Sequence, residues 1–470
     1  MSRKAKQIGV VLLSLMIVAV FIGCQKKKAA EAADEAAVVV EAAERDLGGM
    51  EIIYGNWWAD YDVDTYEPNN PADERTLEWR KEIQEKYNFK MREANVATWE
   101  LMMEESASSI MAGTPIAQVI QLQPNWAMAL YGQKLLAPLD VPSVDFTQDK
   151  PIQWNRSVKD AFTFNGNTYA LTVGYGGSQH GGGVFYNKRL FEEAGLDPNL
   201  PYDLQKSGEW TWEKFREICS KVQRDVDNDG VIDVYATASI STDALDFIIA
   251  SNGARIIDKD SSGKFVLATN RPEFLEALQF SCQLFLDGYV RSQRPDENWN
   301  YFEPLFHDGK IAMRIAQQYV AQQLAEMQDD WGFVLFPKGP KLSNYLFSQD
   351  ENVCIIPSTY TPEEVDNIMF AYKMWQTPAP GNDDENAWKG AQYNIYRDTR
   401  AVDETLVMIR DPNFSIFKYE NLLGGFTNSA RGQMAWNMWV DGVAQNPAQL
   451  IEQVSPSWQA IVEDANVELQ

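Results

Sequence analysis

Apolar residues follow two different periods in the first part of the chain, and these periods predict strands alternating with helices. Residues 50–54 alternate as a strand does, whereas residues 74–87 and 100–111 carry apolar side chains at helical spacing. Residues 117–122 form a short apolar run that is typical of a buried strand. The alternation predicts an α/β fold with βαβ units and a mainly parallel sheet.

Aromatic and polar residues directly follow both predicted strands. Trp57, Trp58 and Asp60 come after the first strand, and Asn125 and Trp126 come after the second. Ligands of such sheets bind beyond the carboxyl ends of the strands, so we expect these five residues at one binding edge. Indole rings pack on the apolar faces of sugar rings, and the polar side chains can accept hydrogen bonds from hydroxyls. Each tryptophan taken singly also fits a place in the core.

Later segments add aromatic candidates for the same ligand site. Tyr175 lies in a glycine-rich segment, residues 173–183, which lacks the Lys-Ser/Thr of a phosphate-binding loop and is predicted to be a mobile cleft loop. Trp299 and Tyr319 are further candidates, and Trp436 lies in a segment whose apolar residues could equally pack as one helix face.

The N-terminus has the pattern of an export signal. Arg3, Lys4 and Lys6 precede an apolar run, residues 8–22, which is shorter than the ~20 residues of a membrane-spanning helix. The run ends in two apolar residues and a glycine before Cys24, a pattern that resembles the lipobox of bacterial lipoproteins. We therefore predict an exported protein that is cut before Cys24 and anchored to a cell membrane by lipid on that cysteine. An uncleaved anchor with an incidental cysteine is the alternative.

The predicted signal peptide, residues 1–23, is followed by a predicted tether that begins with the lipidated cysteine and covers residues 24–49. The tether is rich in Ala, Glu and Lys and has no aromatic residue, so it cannot bury enough apolar surface to fold. The sequence leaves open which membrane, and which face of it, carries the anchor. The remaining chain is too long for one ordinary core, which predicts two lobes.

Composition excludes several classes of function. The formal net charge of −26 argues against binding to nucleic acid or to an anionic lipid surface, because both depend on Lys and Arg contacts. The chain has only two histidines, far apart, so we expect no histidine-based zinc or nucleophile site, and no motif points to an organic cofactor. Besides Cys24, three cysteines lie among apolar neighbours, and we predict that they are buried free thiols: Cys219, Cys282 and Cys354.

One acidic segment, residues 225–233, has the spacing of a calcium-binding loop. Carboxylates stand at positions 1, 3, 5 and 9, and Gly230 stands at position 6, where the chain must turn sharply. Position 12 is Ala236, so the usual bidentate glutamate is missing. A solvated acidic turn is the alternative to a structural Ca²⁺ site. The predicted calcium ligands are Asp225, Asp227, Asp229, the carbonyl of Val231, and Asp233.

Several segments, in order and spacing, resemble motifs of the family 1 extracellular solute-binding proteins of ABC importers. No single segment is specific, but together they cover nearly the whole chain after the tether. The resembling segments are residues 164–171 (FNGNTYAL), 184–196 (VFYNKRLFEEAGL), 210–215 (WTWEKF), 252–254 (NGA), 307–313 (HDGKIAM), and 331–333 (WGF) through 337–340 (PKGP).

The resemblance implies a two-lobed periplasmic-binding-protein-like fold of type II, with a hinge and a ligand cleft between the lobes. By analogy, the first lobe comprises residues 50–170 and about 314–353, and the second comprises residues 171–313 and about 354–470. The hinge crossings should then fall near residues 170–172, 314–317 and 354–357. The resemblance also favours a bound calcium ion over a solvated turn.

The function implied by the resemblance is reversible capture of a solute, a mono- or oligosaccharide, by a monomeric protein. Closure of the lobes on the ligand would then allow docking on an ABC permease. Two alternatives stay open: an exported carbohydrate-active enzyme, such as a glycoside hydrolase or lyase, and a sensing module without transport. An enzyme is not expected, because the sequence singles out no pair of catalytic carboxylates.

Overall fold

A computed structural model of the chain describes residues 45–147, 152–174, 181–349, 351–382, 386–423, 426, 434, 438–439 and 446–468. Cys24, the predicted signal peptide, nearly all of the predicted tether, Tyr175 and Trp436 lie outside the described residues. Within the described part of the chain, no helix combines the length and the apolar character needed to cross a membrane.

Strands and helices alternate through the first third of the chain, as the hydrophobic pattern predicts. The strands are β1 (Met50–Asn56), β2 (Phe89–Asn95), β3 (Val119–Leu122), β4 (Thr163–Phe164), β5 (Asn167–Thr168), β6 (Gly182–Asn187), β7 (Tyr235–Ala238), β8 (Ile257–Lys259), β9 (Phe265–Leu267), β10 (Ile311–Gln317), β11 (Trp331–Leu335), β12 (Phe347–Gln349), β13 (Val353–Ile355) and β14 (Ser415–Phe417).

Helices connect these strands, and most are short. The α-helices are α1 (Pro71–Tyr87), α2 (Met102–Met111), α3 (Pro124–Gly132), α4 (Arg156–Ala161), α5 (Lys188–Glu193), α6 (Leu200–Ser207), α7 (Trp212–Val222), α8 (Ser241–Ala250), α9 (Pro272–Leu286), α10 (Phe302–His307), α11 (Pro362–Gln376), α12 (Ala387–Gln392), α13 (Val407–Arg410) and α14 (Pro447–Glu468). Short 3₁₀ segments cover Gln318–Leu324, Pro412–Phe414 and Tyr419–Leu422, and a π-helical segment covers Ala401–Leu406.

Two four-stranded sheets form the centres of two lobes. In the first sheet the strand order is β13-β3-β1-β2, where β1 runs parallel to both neighbours and β13 is antiparallel to β3. In the second sheet the order is β11-β6-β10-β7, where β10 is parallel to β7 and β6 is antiparallel to both neighbours. The parallel βαβ arrangement predicted from the N-terminal pattern is therefore confirmed in the first sheet.

Local sequence signals explain where α1 begins and ends. The side chain of Asn70 accepts the backbone N–H groups of Ala72 and Asp73, and Pro71 supplies the fixed φ that suits a first helical residue. Asn88 ends the helix in the left-handed conformation, with φ of 51°. The helix therefore returns the chain directly to β2.

The strand pairing corrects the predicted lobe boundaries. Residues 314–353 were expected in the first lobe, but β10 and β11 pair with β6 in the second sheet. Residues 354–376 were expected in the second lobe, but β13 pairs with β3, and Ile368 and Trp375 of α11 are buried in the first lobe's core with Ile52 and Ile83. The physical reason is that a short apolar strand fits either sheet, so that only tertiary packing decides its place.

Two segments that connect the lobes are hydrogen-bonded to each other. The N–H of Leu171 donates to the carbonyl of Cys354 at 3.1 Å, and the N–H of Cys354 donates to the carbonyl of Leu171 at 2.7 Å. The chain leaves the first lobe after Leu171 and returns to it at β13. It leaves the first lobe again after α11, since the ring of Tyr396 packs against the ring of Trp331 in the second lobe. The crossing expected at residues 314–317 is wrong, since those residues lie within β10.

Candidate functional site

The loop that follows β1 is shaped by one buried side chain. Oδ1 of Asn56 accepts the backbone N–H groups of Trp58 and Ala59, both at 2.8 Å, and Nδ2 of Asn56 donates to the carbonyl of Ala59 at 3.0 Å. The neighbouring residue, Gly55, must lack a side chain, because a Cβ atom at this position would lie only 2.8 Å from the Cβ of Ala117. These contacts direct Trp57 and Trp58 to the carboxyl edge of the first sheet.

Four indole rings form a chain of contacts at this edge, which we call the tryptophan cluster: Trp57, Trp58, Trp99 and Trp126. The ring centroid of Trp57 lies 4.7 Å from that of Trp58 and 5.6 Å from that of Trp126, and the centroid of Trp99 lies 5.5 Å from that of Trp126. Trp57 and Trp126 pack on the core, whereas Trp58 and Trp99 at the two ends are 52% and 46% exposed. The cluster therefore presents aromatic surface to solvent.

The cluster collects residues that follow three neighbouring strands. Trp57 and Trp58 follow β1, Trp126 lies in the first turn of α3 after β3, and Trp99 lies in the loop after β2. Trp99 is not among the residues predicted from the sequence for this edge. Its position four residues after the end of β2, where the carboxyl edge of the sheet lies, is the signal that could have found it.

The two predicted polar residues lie beside the cluster. The side chain of Asp60 is exposed, and its Oδ1 accepts the backbone N–H of Asn95, the last residue of β2, at 3.0 Å. This hydrogen bond joins the loop after β1 to the end of the neighbouring strand. Asn125 is half-buried next to Trp126 at the start of α3. A role of the two side chains in ligand binding stays a prediction.

Tyr319, another residue predicted to bind the ligand, lies in the second lobe and follows the carboxyl end of β10. Its side chain is 44% exposed, and burial of the phenol group, together with the nearby Asp243 carboxylate, raises the pKa of Tyr319. Arg314 of β10 is buried, forms an ion pair with Glu303 at 3.2 Å, and stacks its guanidinium 5.0 Å from the ring centroid of Phe302. Tyr319 is thus a neutral hydrogen-bonding group, and the guanidinium of the nearby Arg314 is already paired with Glu303.

Trp299 does not join the tryptophan cluster through any ring contact among the described residues. It lies in the second lobe just before α10 and is 68% exposed. Tyr175 and Trp436 lie outside the described residues, so their places in the site stay predictions.

The acidic loop folds into a compact turn around its own carboxylates. Asp225 accepts the backbone N–H of Gly230 at 2.8 Å, and Asp229 accepts that of Val231 at 2.7 Å. One carboxylate oxygen from each of Asp225, Asp227 and Asp229 lies within 4.8 Å of the other two, a spacing that a single cation could bridge. Asp233 instead accepts the backbone N–H of Val226 at 2.8 Å.

The sequence of residues 78–373, more than half of the chain, matches the family model of the bacterial extracellular solute-binding proteins. The chain belongs to this family. The resemblance that the sequence motifs indicate is thereby confirmed, and the protein is a solute-binding protein. No curated protein sequence matches this solute-binding protein.

Solved structures share the fold of this solute-binding protein over most of its length. The cyclic α-maltosyl-1,6-maltose-binding protein of Arthrobacter globiformis is 13% identical, with a TM-score of 0.63 over 89% of this chain and 100% of that chain. UgpB of Mycobacterium tuberculosis, in complex with glycerophosphocholine, is 16% identical, with a TM-score of 0.58 over 89% and 99% of the two chains. The substrate-binding protein Lmo0181 of Listeria monocytogenes, in complex with cycloalternan, is 17% identical, with a TM-score of 0.55 over 89% and 98%. At these identities the likeness shows the two-lobed α/β fold.

Proposed function

We propose that this solute-binding protein captures a saccharide, either a mono- or an oligosaccharide, at the tryptophan cluster and delivers it to an ABC importer. The observation that carries the proposal is the contact chain of four indoles with two exposed ends. Aromatic faces pack on the apolar faces of sugar rings, while the neighbouring Asp60 and Asn125 can accept hydrogen bonds from hydroxyls. Two of the structural relatives bind cyclic oligosaccharides, which supports the same class of ligand here.

The ion pair of Arg314 favours a neutral ligand at this site. Arg314, which lies near Tyr319, is already paired with Glu303 at 3.2 Å. A strongly anionic solute would need cations that are free to pair with it, because removing a charge from water without a partner is costly. Hydroxyl-rich sugars have no such requirement.

Titration with a panel of saccharides, followed by tryptophan fluorescence, tests the proposal. We expect reversible quenching by at least one sugar, with no release of reducing ends. Trp99→Ala should weaken that binding about five- to thirtyfold, because a stacking partner contributes on the order of 1–2 kcal/mol. The control Met111→Ala removes an exposed apolar side chain from α2 of the same lobe and should leave the affinity unchanged. Turnover of the sugar would instead support an exported enzyme, and silence across all sugars would refute the saccharide.

Membrane attachment through Cys24 is a second part of the proposal. The support is the lipobox-like sequence before Cys24 and the aromatic-free segment after it. A lipid anchor would hold the protein near its permease and so raise its effective concentration there. Mass spectrometry of the membrane fraction should find diacylglycerol on Cys24, and Cys24→Ser should release the protein. An unmodified Cys24 in the mature chain would exclude the lipoprotein.

Delivery to a permease distinguishes transport from sensing. In vesicles that contain the cognate ABC permease, the sugar-loaded protein should stimulate ATP hydrolysis, and the sugar-free protein should do so less. A protein that binds sugar but leaves every ABC permease encoded beside it unstimulated would be a sensing module.

We also propose that the acidic loop holds a structural Ca²⁺. The support is the mutual approach of the carboxylates of Asp225, Asp227 and Asp229, which would repel one another without a cation. Calcium should raise the melting temperature relative to EGTA, because it binds the folded loop preferentially. Asp225→Asn should abolish that rise, whereas Asp258→Asn, outside the loop, should retain it. An identical melting temperature in calcium and EGTA would exclude the site.

A further inference from the structure

Lys259 of the second lobe reaches across to the first lobe. Its strand, β8, and the neighbouring β9 lie in the chain between β7 and β10, the two parallel strands of the second sheet. The ammonium Nζ of Lys259 donates to the carbonyls of Asp160 and Ala161, both at 3.3 Å. These are the last two residues of α4, and carbonyls at the end of a helix have no partner within the helix. A cation of one lobe therefore satisfies backbone groups that a helix of the other lobe cannot pair.

Helix α4 and the hairpin that follows it are fixed to the first lobe. The backbone N–H of Leu139, a residue of the first lobe's core, donates to the carbonyl of Thr168 in β5 at 2.8 Å. The ring centroid of Phe164 in β4 lies 4.6 Å from that of Tyr131 in α3. Because α3 follows β3 of the first sheet, the carbonyls at the end of α4 move with that sheet.

Three aromatic rings, contributed by both lobes, surround the ammonium. Its nitrogen lies 5.4 Å from the ring centroid of Phe164 in the first lobe, and 5.4 and 5.2 Å from those of Phe265 and Tyr419 in the second. Such cation–π contacts strengthen as the cation is withdrawn from water. Burial lowers the pKa of Lys259, whereas the nearby Asp160 carboxylate acts in the opposite direction and favours the charged ammonium. Carbonyls and rings together therefore hold the ammonium at the boundary of the two lobes.

The hairpin that carries Lys259 is held firmly in the second lobe. The side chain of Asn466 in α14 accepts the backbone N–H of Phe265 at 2.9 Å and donates to its carbonyl at 2.8 Å. Asp258, next to Lys259, forms an ion pair at 2.6 Å with Arg271, which precedes α9. A rotation of one lobe against the other therefore moves the ammonium relative to the carbonyls of α4.

The carboxyl edges of both sheets are accessible in this arrangement of the lobes. Trp58 and Trp99 are 52% and 46% exposed in the first lobe, and Tyr319 is 44% exposed in the second. We propose that Lys259 is a latch that holds the lobes in this open arrangement, so that closure on a saccharide must break the contacts of its ammonium. The effect on affinity rests on the proposed saccharide capture, whereas the effect on the arrangement of the lobes does not. A latched protein binds more weakly, because apparent affinity falls with the fraction of molecules that can close.

The arrangement of the lobes can be measured without any sugar. Lys259→Met keeps an unbranched side chain that suits three surrounding rings, but it removes the charge and both hydrogen bonds. Dyes are placed on Met111→Cys and Leu286→Cys, one exposed position in each lobe, in the Cys24→Ser chain. Lys259→Met should shift the mean energy transfer between the dyes, whereas the matched control Lys264→Met, at an exposed position of the same hairpin, should leave it unchanged. Unchanged transfer in Lys259→Met would overturn the latch.

Saccharide titration followed by tryptophan fluorescence then tests the direction of the effect. Lys259→Met should bind at least about threefold more tightly than wild type, because the open arrangement no longer competes with closure. A variant that merely damages the fold would bind more weakly. Unchanged or weaker binding by Lys259→Met, or an equal gain in Lys264→Met, would overturn the proposal. If no saccharide binds the wild-type chain, the proposed capture fails, and the energy-transfer measurement alone decides the latch.

Discussion

Replacing Asn56 by alanine removes three hydrogen bonds from the loop that carries Trp57 and Trp58. Two are accepted from the N–H groups of Trp58 and Ala59, and one is donated to the carbonyl of Ala59. Each is worth about 1 kcal/mol, and a buried group left unpaired costs more. Because Trp58 is exposed, water can reach its freed N–H, so we expect a total loss of about 2 kcal/mol in the free energy of unfolding.

Urea unfolding followed by circular dichroism measures this loss as a lower midpoint at an unchanged slope. Saccharide affinity should fall with it, because the loop no longer holds Trp57 and Trp58 in place. Asn95→Ala is the matched control, because Asn95 is an exposed asparagine at the end of β2, and it should change the free energy of unfolding by less than about 0.5 kcal/mol. An Asn56→Ala variant within about 0.5 kcal/mol of wild type would refute the assignment of the loop's shape to this side chain.

Two further predictions follow from shifted pKa values. The Arg189 guanidinium is the main cause of the lowered pKa of Asp329, so the stability from this pair is present above about pH 4 and is lost as the pH falls through the folded-state pKa. In Asp329→Asn, the melting temperature should therefore fall less steeply than in wild type as the pH is lowered below about 4. A fall as steep as in wild type would contradict this. Burial raises the pKa of Cys282 and Cys354 to about 11, so iodoacetamide should label neither in native protein at pH 8 and both in urea, as peptide mass spectrometry can check. Labelling of either thiol before unfolding would show that it is not buried.

The convergence of Trp57, Trp58 and Trp126 could be predicted from the chain alone. Alternating strands and helices imply a parallel sheet, and residues that follow parallel strands meet at one edge. The same rule covers Trp99, but β2 has the polar sequence FKMREAN, with exposed side chains at alternate positions, and it carries no apolar run. Without a recognised strand there was no strand end from which to place Trp99. The buried state of the three free cysteines was predictable because each lies among apolar neighbours, and it is confirmed.

The lobe boundaries could not be predicted, because they depend on which sheet a short strand joins. The strand β13 has only three residues, all apolar or cysteine, and such a segment fits either sheet equally well. Its partner, β3, lies more than two hundred residues earlier in the chain, beyond the reach of any local pattern.

The late return of the chain to the first lobe has a consequence for the order of folding. When the ribosome has made residues 50–122, three strands of the first sheet exist, but the fourth strand and its covering helix, β13 and α11, are about two hundred residues away. The strands of the second sheet are synthesised in between, so that lobe can assemble while the first still exposes the edge of β3 and an uncovered apolar face. A nascent chain that stops before residue 353 should therefore need a chaperone that shields its N-terminal part. Cutting the gene at one point cannot yield two separate lobes.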